Sequence, residues 1–223
     1  IERPLLLVEG CNIVEIASRS SRALPANISL TDYGDAVVVP GFLDIHIHGG
    51  GGHDVMESDA SALAIIQNTL ARHGVTSYLP TTVTAPIEST LACLDRLATA
   101  IEKSEDSRMA GAQPLGIHLE GPFLSHARRG VHPVSNLLAP SVKTFNQLWE
   151  ASRGHIRVMT IAPELDGATE VIAEATKLGV KASMGESDAN LAEARAGSAA
   201  GARHVTHVFN AMRPLEHRDP GIL

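Results

Sequence analysis

Two histidines, His46 and His48, stand two residues apart just before four consecutive glycines at 49–52. The apolar residues around them predict a buried strand, and side chains on a strand alternate between its faces, so both imidazoles point the same way with Asp44 below them. Two imidazoles placed in this way can hold one metal ion from one side, and the glycines let the backbone turn close to it. A pair of solvated histidines at a loop edge is the alternative interpretation.

Three more polar side chains end predicted strands. Glu120 follows an apolar stretch and precedes a Gly-Pro pair, which favours burial, and a buried carboxylate needs a cation or hydrogen bonds. A surface glutamate at the start of a loop is the alternative. Glu186 and His207 stand at the ends of the fifth and sixth predicted strands, although a lone histidine is more often a core residue than a ligand. His118, two residues before Glu120 on the same face, is better explained as a hydrogen-bonded core histidine than as a partner of a ligand.

From Pro40 onward, strands and helices are predicted to alternate. The predicted strands cover residues 40–48, 77–83, 115–120, 156–162, 180–184 and 204–209, and the predicted helices cover 58–73, 87–101, 141–151, 168–178 and a segment from 189. Six β-α steps favour a parallel sheet covered by helices, and polar residues at the carboxyl ends of strands are typical of a β/α barrel. We therefore predict an α/β fold, a (β/α)8 TIM-type barrel of which about six units are present. Residues 1–39 predict a small β unit with strands at 5–8, 13–17 and 36–39.

Composition excludes several classes of partner. Acidic residues outnumber basic ones by 25 to 18, which argues against nucleic-acid binding because phosphate contacts need a basic face. No apolar run approaches the ~20 residues of a membrane span, and no signal peptide is evident. Cys11 and Cys93 form no spacing motif, which fits a reducing cytoplasm. Because two barrel units are missing and the first residue is Ile1, we expect the natural polypeptide to be longer by more than about a hundred residues.

Four motifs occur in order: PGFLDIHIHG at 40–49, HLEGPF at 118–123, HVFNAM at 207–212 and RDPG at 218–221. Together they resemble the N-acetylglucosamine-6-phosphate deacetylase family of the amidohydrolase superfamily. The resemblance implies a metal-dependent hydrolase of amino-sugar catabolism that converts N-acetylglucosamine 6-phosphate to glucosamine 6-phosphate and acetate. It further implies part of a small β-sandwich domain over residues 1–39, the N-terminal portion of a metal-dependent barrel over residues 40–223, a cytoplasmic location and a homodimer.

The same resemblance assigns roles to individual residues. The implied metal ligands, for one or two divalent ions with zinc as first candidate and iron, manganese or cobalt as alternatives, are His46, His48, Glu120, Glu186 and His207. The implied substrate contacts are Val131, His132, Asn210, Ala211 and Arg218. A guanidinium suits the phosphate because its fork makes bidentate contacts, although a solvated loop charge is the alternative for Arg218. We expect the histidines and carboxylates to converge within coordination reach.

Two departures from the family pattern are evident. Glu186 stands where the family has a metal-binding histidine, and a carboxylate is a harder, charged donor that alters the choice of ion. The family's catalytic aspartate is expected after Leu223, so no catalytic base is assigned within this chain. Two alternatives stay open. Another amidohydrolase, such as a cyclic-imide or dipeptide hydrolase, would keep His-x-His without needing Arg218, and a non-catalytic or truncated barrel would have no turnover.

Overall fold

A computed structural model describes residues 4–21, 28–106 and 111–223. The strands are β1 (Pro4–Glu9), β2 (Asn12–Ser18), β3 (Phe42–Ile47), β4 (Gly49–Gly50), β5 (His53–Asp54), β6 (Val75–Pro80), β7 (Gln113–Pro114), β8 (Ile117–Glu120), β9 (Ile156–Ile161), β10 (Lys181–Met184) and β11 (His204–Val205). The helices are α1 (Ala60–Arg72), α2 (Ile87–Asp106), α3 (Val142–Ala151), α4 (Ala168–Lys177) and α5 (Leu191–Ala200). A short 3₁₀ turn covers Val134–Asn136.

The chain separates into two compact units, residues 1–40 and 41–223. In the first unit β1 pairs antiparallel with β2, with an irregularity between Leu7 and Val8. The predicted third strand over residues 36–39 is wrong, since no strand is present there. Val37 and Val39 are exposed, and valine favours a strand only when its side chain packs on a sheet surface. That this unit belongs to a β-sandwich stays a prediction.

The second unit contains parallel sheets whose strands alternate with helices, as predicted. One sheet has the order β3-β6-β7 and the other the order β11-β10-β9-β8, and a parallel bridge between Thr81 and His118 joins them. All strand pairs in these two sheets are parallel. The carboxyl ends of β3, β6, β8, β10 and β11 therefore face the same way, and we call this side the carboxyl edge.

The helices begin where the sequence provides caps. The side chain of Asp59 accepts a hydrogen bond from the N–H of Ser61 at the start of α1, and Ser141 does the same for Thr144 in α3. Asn190 and Glu193 form a capping box at α5. The helices cover the sheets with apolar side chains, and the largest buried ones include Ile66, Leu94, Ile101, Phe145 and Leu148. Across the described segments, no helix combines the length and hydrophobicity that a membrane crossing requires.

Two strand boundaries differ from the prediction at the carboxyl edge. β6 ends at Pro80, three residues before the predicted end, and β11 covers only His204–Val205 instead of continuing to Phe209. The backbone of His207 has φ 56° and that of Phe209 has φ 70°, so both lie in the left-handed region and the chain turns out of the strand. At Met212 it forms an isolated parallel bridge with Ser187, which lies beyond the end of β10.

A small hairpin follows the two histidines. β4 pairs antiparallel with β5, and a Cβ on Gly49 would lie 2.1 Å from the carbonyl oxygen of His53. Only glycine therefore fits this crossing. The hairpin begins directly after His48 and returns to it, since the N–H of Val55 donates to the carbonyl of His48 at 2.7 Å.

Candidate metal centre

Glu120 is the central residue of a cluster at the carboxyl edge. It ends β8, is 1% exposed, and has imidazole nitrogens around both carboxylate oxygens. Its Oε1 lies 3.3 Å from Nε2 of His46 and 3.1 Å from Nε2 of His207, and its Oε2 lies 3.0 Å from Nε2 of His48 and 3.5 Å from Nε2 of His132. The sequence places these four histidines on three different segments, and the fold brings them to one carboxylate.

Glu186 contributes a second buried carboxylate. Its Oε1 lies 3.3 Å from Nε2 of His207, while its Oε2 is buried and has no hydrogen-bond partner among the described residues. Both Glu186 and His207 have a left-handed backbone, with φ 45° and 56°. Such strain in residues other than glycine is concentrated at functional sites, where the surrounding structure holds it in place. An unpaired buried carboxylate oxygen facing a cluster of imidazoles is a site prepared for a cation or a proton.

The two carboxylates have opposite pKa shifts. Burial alone would raise the pKa of Glu120, but hydrogen bonds with His132 and His48 outweigh it and hold the pKa well below its usual range. Burial, followed by the charge of Glu120, raises the pKa of Glu186 to about 8. At neutral pH and without a cation, Glu120 is therefore ionised and Glu186 is protonated. A divalent ion would allow both to ionise, because it replaces the missing positive charge.

Backbone contacts fix the tautomers of two of the imidazoles. The carbonyl oxygen of Thr81 lies 3.2 Å from Nδ1 of His48 and can only accept, so Nδ1 carries a hydrogen and Nε2 of the neutral ring has the lone pair that a metal needs. The N–H of Thr84 donates to Nδ1 of His132 at 3.2 Å, so the hydrogen of that neutral ring is on Nε2. His132 lies within reach of both carboxylates, yet this tautomer makes it a hydrogen-bond donor and not a ligand.

His46 and His118 lie on the inner side of the cluster. Burial lowers the pKa of His46, and its ring lies edge-on to that of His118 with centroids 4.7 Å apart. Burial also lowers the pKa of His118 to about 4. His118 is 3% exposed and its two nitrogens contact the carbonyl of Ile45 and the hydroxyl of Thr160. Both nitrogens of this buried ring therefore have hydrogen-bond partners, as expected for a core histidine.

The residues implied to contact substrate lie on loops around the cluster. His132 is buried, whereas Val131 is 87% exposed. Asn210 donates its backbone N–H to the carbonyl of His207, and the carbonyl of Ala211 accepts from the N–H of Ser187. Arg218 is exposed in a turn closed by backbone hydrogen bonds between Glu216 and Asp219. The structure therefore brings His132 to the cluster and leaves the side chain of Arg218 in solvent.

An ion-pair network beside the cluster was not predicted from the sequence. Arg213 contacts Asp219 at 2.8 Å and Asp188 at 3.2 Å, and Arg128 contacts Asp188 at 2.8 Å. These residues come from three loops at the carboxyl edge, and Asp188 follows Glu186 by two positions. The network ties the turn of Arg218 to the loop of Glu186. The local sequence pattern does not indicate the pairs made by Asp188, because it lies 25 residues from Arg213 and 60 residues from Arg128 along the chain.

The parallel sheets with their intervening helices and the histidine-carboxylate cluster define a class of protein. Residues 37–220 match the model of the amidohydrolase family, and the chain belongs to that family. Similarity to individual proteins of the family confirms the resemblance that the four motifs indicate. N-acetylglucosamine-6-phosphate deacetylase from Bacillus subtilis is 40% identical over 189 residues, which cover 85% of this chain and 48% of that protein.

Two further relatives bear on the substrate and the fold. N-acetylgalactosamine-6-phosphate deacetylase from Escherichia coli is 36% identical over 199 residues, which cover 89% of this chain and 52% of that protein. The crystal structure of N-acetyl-D-glucosamine-6-phosphate deacetylase from Mycobacterium smegmatis matches with a TM-score of 0.84 and 35% identity, covering 97% of this chain and 54% of that chain. A mutant of the latter enzyme has been solved in complex with N-acetyl-D-glucosamine-6-phosphate. The chain thus spans about half the length of the relatives it matches.

Proposed function

We propose that this chain provides the metal-binding portion of an enzyme that hydrolyses the acetamide of N-acetylglucosamine 6-phosphate to glucosamine 6-phosphate and acetate. The observation that supports the proposal best is Glu120, a buried carboxylate contacted by four imidazoles at the carboxyl edge. The names of the similar proteins point to the same reaction on a phosphorylated amino sugar. The resemblance places the catalytic aspartate after Leu223, so the proposed activity belongs to the whole protein.

The donor set fits one or two divalent ions. Two sets of three side chains each bring their potential ligand atoms within 4.8 Å of one another: His46, His48 and Glu120 form one set, and Glu120, His132 and Glu186 form the other. In our proposal Glu120 is shared, His207 completes the second group, and His132 stays outside as a donor. Zinc is the first candidate, with iron, manganese or cobalt as alternatives, since imidazole and carboxylate suit all of them. Such an ion would supply a Lewis acid that activates water and polarises the acetamide carbonyl.

The proposed fold is a (β/α)8 barrel with part of a β-sandwich. The six strands β3, β6, β8, β9, β10 and β11 follow one another through helices, and their polar residues lie at the carboxyl ends where barrel enzymes place their active sites. In this arrangement residues 1–39 belong to the sandwich and residues 40–223 to the barrel. The complete protein would supply the remaining barrel units and the general base.

The substrate is proposed to lie between the cluster and the surrounding loops. His132, whose Nε2 faces Glu120 and whose Nδ1 accepts from the N–H of Thr84, would contact the sugar beside the cluster. Asn210, Ala211 and Val131 would line the sugar site; a Cβ placed on Gly130 would lie 3.9 Å from that of Ala211, so the two loops pass close to each other. Arg218 would bind the phosphate through its fork. Its exposure suits a homodimer in which the turn reaches a neighbouring subunit's site.

The test is acetate release by the complete gene product loaded with Zn²⁺. We expect equimolar acetate and free amine from N-acetylglucosamine 6-phosphate, and loss of both metal and activity in Glu120→Gln. Glu150→Gln, which changes an exposed carboxylate on α3, serves as the matched control and should behave as wild type. N-acetylgalactosamine 6-phosphate, a cyclic imide and a dipeptide are compared in the same assay. Faster turnover of either non-sugar substrate would favour another amidohydrolase, and metal-loaded protein without any turnover would favour a non-catalytic barrel.

A further inference from the structure

The two sheets of the second unit meet at His118. Its backbone bridges to Thr81, and its carbonyl oxygen accepts a hydrogen bond from the N–H of Thr82 at 3.0 Å. The candidate ligands are divided between the same two sheets. His46 lies in β3 and His48 directly after it, whereas Glu120 ends β8 and Glu186 and His207 follow β10 and β11. We propose that His118 is a positioning residue that couples these two groups of ligands across the sheet junction. The inference rests on the proposed metal site.

On one side, His118 holds the part of β3 that carries His46. The pairing of β3 with β6 shifts register between Asp44 and Ile47, which takes the two intervening residues out of the regular ladder. Side chains replace the lost ladder contacts. The carboxylate of Asp44 accepts from the N–H of His46 at 3.0 Å, and Nδ1 of His118 donates to the carbonyl of Ile45 at 3.0 Å. The position of His46 is therefore set by side chains, one of which belongs to the other sheet.

On the other side, His118 begins a chain of hydroxyl groups. Its Nε2 lies 2.7 Å from Oγ1 of Thr160, which lies 2.9 Å from Oγ1 of Thr206, which lies 2.7 Å from Oγ of Ser183. Because the carbonyl of Ile45 can only accept, Nδ1 of the neutral ring has the hydrogen and Nε2 accepts from Thr160. Each hydroxyl then donates towards the ring, and all four side chains are buried. Thr206, the middle hydroxyl of the three, directly precedes the candidate ligand His207.

These contacts exceed what burial of a histidine requires. A core imidazole needs a partner for each nitrogen, and any local carbonyl and hydroxyl would satisfy it. Here the partners lie on different sheets, and each contact leads to a residue next to a candidate ligand. Ile45 precedes His46, and Thr206 precedes His207. Loss of the ring should therefore alter the spacing between the two ligand groups, and not only the stability of the core.

Zn²⁺ titration calorimetry on the complete protein tests the coupling. His118→Phe keeps an aromatic ring beside His46 but removes both hydrogen bonds, and we expect about 10–100-fold weaker Zn²⁺ binding. His118→Asn, which retains a donor near the Nδ1 position, should recover part of the affinity. Thr160→Val removes the hydrogen bond to Nε2 of His118 without changing β8, and it should also weaken Zn²⁺ binding. Thr169→Val, on α4, is the matched control and should bind as wild type, because that hydroxyl contacts only its neighbour's side chain among the described residues.

A double-mutant cycle separates positioning from general destabilisation. If His118 acts through the ligands on β3, His118→Phe should cost little affinity in a His48→Gln background, where that group is already incomplete. Equal fold-losses in both backgrounds, or wild-type affinity in His118→Phe, would overturn the inference while leaving the proposed function intact. Should His118→Phe not fold, wild-type affinity in Thr160→Val would overturn it. Wild-type protein that binds no Zn²⁺ would overturn the proposed metal site and this inference with it.

Discussion

Replacing Glu186 with glutamine should remove a loss of stability that the metal-free protein otherwise shows as pH rises. Glu186 is 2% exposed, and its Oε2 has no hydrogen-bond partner in the described part of the chain. Burial and the nearby charge of Glu120 raise its pKa from 4.5 to about 8. A glutamine has nearly the same shape but cannot ionise, so it avoids the cost of placing a second negative charge beside Glu120.

The sign and size of the effect follow from proton linkage. The folded carboxyl holds its proton up to pH about 8, whereas the unfolded one releases it near pH 4.5, so rising pH favours the unfolded chain between these values. One pKa unit corresponds to about 1.4 kcal/mol, and the full shift therefore approaches about 5 kcal/mol at alkaline pH. Below pH 4.5 both states are protonated and the contribution vanishes. The buried amide of glutamine has a cost of its own, about 1–3 kcal/mol, but that cost does not change with pH.

Urea unfolding of the EDTA-treated complete protein, measured between pH about 4.5 and 8, reports the difference in pH dependence. Wild type should lose several kcal/mol over this range relative to Glu186→Gln, while the exposed control Glu150→Gln should follow wild type. Parallel pH curves for wild type and Glu186→Gln would refute the reasoning from burial. With saturating Zn²⁺, wild type should have the larger free energy of unfolding of the two proteins, because an ion bound by Glu186 stabilises wild type more than the variant. Equal stabilisation of both would remove Glu186 from the ligand set.

Three further predictions concern the same site. Glu186→His should keep metal binding and retain or raise deacetylase activity; loss of both would mean that the carboxylate has a role that histidine cannot fill. Arg218→Ala should lower kcat/KM for the phosphorylated sugar far more than kcat/KM for the unphosphorylated one, since the lost contact is charge-assisted. Equal losses for both sugars would indicate a structural role. The hydrogen bond with Glu120 raises the pKa of His48, so a proton competes with Zn²⁺ for this ring at higher pH than it would for an ordinary histidine. Calorimetry in buffers of different ionisation enthalpy should therefore show proton release and weaker binding at lower pH, and no buffer dependence would contradict this.

Local signals were sufficient for most elements of the fold. All five predicted helices are present, because caps such as Asp59 and Ser141 and the 3.6-residue spacing of apolar side chains act within a few residues. The parallel arrangement follows from the alternation of strands with helices. The strand predicted at 36–39 failed because valine's preference depends on a neighbouring strand. The sixth strand was predicted too long because a left-handed backbone at His207, which is not a glycine, leaves no mark in the sequence.

The sequence predicted the histidines and the carboxylate of the candidate site, but not the groups that orient the histidine rings by hydrogen bonds. His46, His48, Glu120 and His207 were expected to converge, and the structure brings the three histidines within 3.3 Å of the carboxylate oxygens of Glu120. Their roles as ligands stay a prediction. The partners that orient the rings are carbonyl, amide and hydroxyl groups, such as those of Thr81 and Thr84. Every residue has a backbone carbonyl, so sequence alone cannot show which one fixes a tautomer.

The glutamate at position 186 changes how the site responds to a cation. A histidine there would be a neutral donor, so the donor set would contain one carboxylate, and loading an ion would add positive charge. With Glu186 the set contains two carboxylates, and burial keeps the second one protonated until a cation arrives. With Glu186 as a ligand, ion binding would expel that proton, and occupancy would fall as pH falls below about 8. The ion-bound state would be stabilised, because two ionised carboxylates balance the charge of one divalent ion, and unbalanced charge is costly where it is buried. In the proposed metal site, Glu186 would therefore couple ion binding to proton release and favour ions that prefer oxygen donors.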